Sequence, residues 1–109
     1  QDQAIKDFYN FLIKKNVEVY EQLLKTQKTT MVYYNLAVLY AVLDRRNEAL
    51  LMLKEAVAKD KKLAIQARYE EVFKKYRLLD KFRLITLIEG EDKNIYEMQD
   101  WVCGAKLII

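Results

Sequence analysis

The chain of 109 residues contains no histidine and no proline, only two glycines, Gly90 and Gly104, and one cysteine, Cys103. Each shortage excludes something. Without histidine the usual general base and the commonest metal ligand are missing. Two isolated glycines cannot build a phosphate-cradling loop. A single cysteine rules out an intrachain disulfide and fits a reducing compartment, so a cytoplasmic location is expected. No apolar run approaches the roughly 18 residues of a transmembrane helix, so no membrane insertion is expected. The sequence opens on Gln1 rather than Met and is expected to be a fragment or a processed form.

What remains is abundant in helix formers. Hydrophobic residues make up 52% of the chain, too many for a disordered segment. Leu, Ala, Lys and Glu without breakers point to an all-α domain. The length allows one domain. Charge is unevenly spread. Residues 1–88 hold 17 Lys and Arg against 11 Asp and Glu, a balance of +6. Residues 89–109 hold Lys93 and Lys106 against Glu89, Glu91, Asp92, Glu97 and Asp100, a balance of −3. The basic body has no clustered Arg/Lys stripe, so nucleic acid is not the expected partner.

The most informative stretch runs from Tyr33 to Leu63. Tyr33, Leu36, Ala37 and Tyr40 lie at i, i+3, i+4 and i+7, one face of a helix. Ala49, Leu53, Ala56 and Val57 form a second such face. A continuous helix would carry the first face onto Asp44, Asn47 and Glu48, so the stripe breaks at "DRRN". Asp44 tolerates the left-handed backbone that ends many helices. The spacing therefore predicts an antiparallel hairpin turning near Asp44–Asn47. Ala37, Ala49 and Ala56 leave room for close approach, and Tyr33, Leu36, Tyr40 and Leu53 supply bulk beside them.

Over Thr30–Leu63 this order of aromatic, Leu-Ala, aromatic, then Ala, large apolar, Ala resembles a tetratricopeptide repeat, a unit of 34 residues. Tyr33 and Tyr40 take the two aromatic positions of the first helix, and Leu36-Ala37 the pair between them. Ala49, Leu53 and Ala56 take the positions of the second helix. Asp44 and Lys61 depart from the turn glycine and the proline frequent in that family, and Asp60 remains available to cap the next helix.

A lone repeat cannot bury its faces. Upstream, residues 1–29 resemble a degenerate repeat: a helix with Ile5, Phe8, Phe11 and Leu12 inward, a turn at Asn16, and a second helix with Tyr20, Leu23 and Leu24 inward. Residues 64–88 resemble the family's closing unit, carried by Phe73, Arg77, Asp80, Phe82 and Ile85. The resemblance thus implies a short right-handed solenoid over residues 1–88 with a C-terminal cap. Residues 89–109 form a tail in which Ile95, Met98 and Val102 have helical spacing.

No catalytic residue, metal site or cofactor is expected. Cys103 has no histidine partner. Glu70 and Glu71 are adjacent and diverge around a helix. Glu89, Glu91 and Asp92 lack the ligand spacing of a calcium loop.

The resemblance implies instead a concave peptide-binding groove lined by Met31, Tyr34, Asn35, Val38, Ala41 and Val42 from the central repeat. Ile65, Arg68, Val72, Lys75 and Tyr76 would follow from the next helix. Tyr33 is then expected in the core and Tyr34 on the groove. In chaperone-binding members an asparagine at the Asn35 position joins a carboxylate clamp, for which Lys6 and Asn10 are the nearest additional candidates. The function expected is a non-catalytic protein-interaction module. The alternative is a homo-oligomeric assembly element whose tail docks on another copy.

Overall fold

In a computed structural model, residues 2–88 are described, and the tail considered above lies outside them. The described residues are helical, with no strand among them. In order they form α1 (Asp2–Thr26), α2 (Thr30–Val42), α3 (Arg46–Lys59), α4 (Lys62–Tyr69), a 3₁₀ turn (Glu71–Tyr76) and α5 (Asp80–Thr86).

Local chemistry sets most of the boundaries. The Thr29 hydroxyl caps α2 by accepting from the Val32 backbone N–H at 3.3 Å. At its other end Asp44 adopts φ 62°. The Asp44 N–H bonds to Ala41 O and the Arg45 N–H to Tyr40 O, the double closure of a Schellman motif. Asp supplies the left-handed residue that glycine usually provides. The Arg45 guanidinium then lies 4.6 Å from the Tyr40 ring centroid and grips Glu48 through two hydrogen bonds of 2.7 and 2.6 Å. The expected turn at "DRRN" is therefore built by its own residues. After α3, the Asp60 carboxylate accepts from the Lys62 N–H at 3.0 Å and helps to start α4.

The hairpin α2–α3 is the centre of the core. Leu36, Ala37, Ala49, Leu53 and Ala56 are all fully buried. The three alanines let the helix backbones approach while Leu36 and Leu53 fill the space on either side. On one flank α2 meets the C-terminal half of α1 through Val17, Tyr20, Leu23 and Leu24. On the other, Phe73 and Phe82 pack at 6.0 Å between centroids, with Tyr34 edge-on to Phe73 at 6.1 Å.

The closing unit uses buried arginines. The Arg77 Nη2 donates to Glu70 O and the Arg68 Nη2 to Thr86 O, each at 2.9 Å. These bonds give carbonyls at two helix ends a partner out of water.

Two expectations are corrected. No turn forms at Asn16, because α1 runs unbroken through it. Residues 2–26 contain neither glycine nor proline, and an exposed asparagine costs a helix only about 0.5 kcal/mol relative to alanine. The first segment is thus one helix, not a hairpin. Ile5, Phe8, Phe11 and Leu12 are consequently not inward: residues 2–12 are all exposed. At 1.5 Å per residue α1 is about 37 Å long and α2 about 20 Å, so α2 is too short to cover it.

Candidate protein-binding grooves

The eleven groove residues implied by the resemblance are not all brought together. Ala41, Val42, Val72 and Lys75 line one cleft between α2 and the 3₁₀ turn, joined by Glu71, Lys74 and Leu78. Lys75 is held in place there, donating to Ala41 O at 2.8 Å and pairing with Asp44 at 3.2 Å. Ala41 has no exposed surface to offer. Met31 is exposed at the start of α2, and Val38 is half-buried against the core.

Tyr34 and Arg68 lie inside the fold. Tyr34 is 4% exposed, and its hydroxyl donates to Glu70 Oε1 at 3.1 Å. Burial, with Glu70 beside it, pushes the Tyr34 phenol well above its usual range. Tyr33 is the half-buried member of the pair, with the Lys59 ammonium 5.8 Å from its ring. Tyr34 therefore does not face a groove as expected, and both tyrosines meet the core, because α2 is covered on several sides and no single face of it is the core face. Arg68 is 7% exposed and serves the Thr86 carbonyl, as described above. Of the remaining positions, Ile65 is exposed on α4 and Tyr76 is buried in the closing unit.

Asn35 is likewise engaged within the fold. Its Nδ2 donates to the Tyr20 hydroxyl at 3.2 Å and ties α2 to α1. Lys6 and Asn10 lie on the exposed overhang of α1, on the far side of residues 13–17 from that bond. The three residues considered for a carboxylate clamp do not form one cluster.

A second groove, unforeseen in the sequence, is lined from the other helix of the hairpin, α3. It runs between α3 and α5, with a volume of about 650 Å³. Its apolar lining includes Leu50, Leu51, Val57, Leu84, Ile85 and Ile88, and Lys54, Lys61 and Lys81 stand among these residues. Leu51 and Leu84 are 54% and 58% exposed. The sequence signal for it is the doublet Leu50-Leu51. Leu50 turns into the core, which places Leu51 outside it in line with Lys54 and Ala58 at i+3 and i+7. Three lysines around an apolar surface favour an occupant that is itself apolar and carries acids at its margins.

Among the described residues no group of three His, Cys, Asp or Glu is placed to hold a metal ion, and no helix is long and apolar enough to cross a membrane. Compared with known proteins, the chain matches no family model, no curated protein and no solved structure.

Proposed function

We propose that this chain is a non-catalytic protein-interaction module of the tetratricopeptide type, which holds an acidic, amphipathic segment of another protein in the α3–α5 groove. The observation that carries the reading is the groove itself: exposed Leu51 and Leu84 above an apolar lining, with Lys54, Lys61 and Lys81 beside them. The repeat assignment is supported by the hairpin geometry, in which Leu36, Ala37, Ala49, Leu53 and Ala56 are all buried at the helix contact. Ordering a free peptide is costly, so micromolar affinity is the expected scale.

The test uses two fluorescein-labelled amphipathic helical peptides of equal length, one of Leu, Ala and Glu and the other of Leu, Ala and Lys. The acidic peptide should bind, weaken with added salt, and lose at least tenfold in affinity on Leu51→Glu or Leu84→Glu. Tyr34 and Arg68 are poor probes because both are buried. Equal binding of the two peptides, or binding untouched by both substitutions, overturns the reading.

One observation favours a second reading, assembly through the tail. Ile88, the last described residue, lines this same groove, and residues 89–109 carry both acids and apolar side chains. The tail of another copy would then be the occupant. Self-association of the full chain that is lost on Leu51→Glu, and lost again on removal of residues 89–109, would favour it. Association unaffected by either change would remove it.

A further inference from the structure

The exposed half of α1 carries a second apolar stripe. Ile5, Phe8, Leu12 and Val19 stand at i, i+3, i+7 and i+14, and they are 67%, 63%, 43% and 56% exposed. Tyr9 and Phe11 flank them, at 54% and 53%. At about 100° per residue this stripe lies roughly 120° around the helix from Val17, Tyr20 and Leu24, which pack on α2. From Ile5 to Val19 the two faces are distinct and α2 occupies only one; one turn further on, at Leu23, the line of the stripe runs into the core.

We propose that this stripe pairs α1 with α1 of a second copy of the chain, antiparallel and centred on Leu12. The stripe follows the 3–4 spacing of one helix face and is interrupted by Lys15, between Leu12 and Val19. Lys15 sets the direction. Parallel pairing would set Lys15 against Lys15 across the seam. Antiparallel pairing about Leu12 brings Ile5 opposite Val19 and lays Lys15 along Phe8 and Tyr9 of the other copy. An aromatic face attracts a cation, and the Lys15 ammonium already lies 5.5 Å from the Phe11 centroid within its own chain. The same patch then serves both copies, as a two-fold interface requires.

The area is adequate. Large side chains of about 150–250 Å², exposed to about half, offer on the order of 600 Å² per copy. A standard interface buries about 800 Å² per partner, so the pair is a reversible one in the micromolar range. The α3–α5 groove takes no part in it.

The experiment is sedimentation of the full chain across a concentration series. A monomer–dimer equilibrium is expected, and Phe8→Glu or Leu12→Glu should weaken it at least tenfold while helix content is unchanged. Leu51→Glu should leave it intact, which separates this pairing from any association through the groove. Orientation is read in chains carrying Cys103→Ser. A mixture of Ile5→Cys and Val19→Cys chains should form the mixed disulfide, whereas Ile5→Cys alone should not crosslink to itself. A monomer at every concentration, a dimer insensitive to both α1 substitutions, or a self-crosslink through Ile5→Cys overturns the proposal.

Discussion

The chain changes its apolar face twice, at Asn16 and at Asp44, and the two places end differently. At Asp44 the backbone turns left-handed, two carbonyls of α2 find donors, and Arg45 stacks on Tyr40 while gripping Glu48. At Asn16 the helix continues, and the change of face becomes two stripes on one element. A shift in hydrophobic pattern therefore marks either a turn or a helix with two customers. What decides is whether the neighbouring residues can close the helix end. "LDRR" does so through Asp44 and Arg45, whereas at "KKNV" the helix runs on.

The sharpest way to break this contrast is truncation. Leu36→Ala or Leu53→Ala removes a side chain with no exposure, and thermal or urea unfolding should show a loss of about 2–5 kcal/mol. Phe8→Ala, at 63% exposure, should cost the monomer no more than about 0.5 kcal/mol. Comparable losses at both sites would mean that the overhang of α1 is part of the core.

Alanine at the two switch points should give opposite signs. Asp44→Ala puts a residue that disfavours left-handed backbone at φ 62° and should destabilise by about 1 kcal/mol. Asn16→Ala should stabilise by about 0.5 kcal/mol, since alanine is the better helix former. A destabilising Asn16→Ala would point to a turn there after all.

The hairpin's links to its flanks have a pH signature. Burial raises the phenols of Tyr34 and Tyr40, with Glu70 and Glu21 adding to it. An unfolded tyrosine ionises near pH 10 and the folded ones later, so their contribution is complete below about pH 10 and falls as pH rises beyond it. Tyr34→Phe should cost about 1 kcal/mol at neutral pH and flatten the alkaline decline, as followed by denaturant midpoints. An unchanged alkaline slope would place the loss elsewhere.

The smallest effect is expected at the exposed Arg45–Glu48 pair. The hydrogen bond from Arg45 holds the Glu48 carboxyl below its usual range. Its contribution is present above about pH 4.3 and is lost as pH falls through the lower folded value. Glu48→Gln should therefore cost under about 1 kcal/mol, mostly at low salt.

The hairpin was legible because its information is local. Ala37, Ala49 and Ala56 mark the crossing, and Asp44 marks the bend. The site was less legible for two physical reasons. First, α2 is apolar nearly all round, so periodicity alone could not tell which of Tyr33 and Tyr34 faces inward. Contacts with the 3₁₀ turn, distant in sequence, decided for Tyr34. Second, Arg68 and Arg77 look like solvent groups until carbonyls at Thr86 and Glu70 are seen to need donors. The α3–α5 groove depends on where α5 folds back, which no spacing within α3 encodes.

Lys75 has a consequence for motion. It reaches from the 3₁₀ turn to the Ala41 carbonyl and to Asp44 at the bend of the hairpin. The bend and the closing unit are thus fastened at a point far from their covalent connection. Opening of the bend would break both contacts of Lys75, and the amide protons of residues 2–12 should exchange with deuterium earlier than those of the hairpin core.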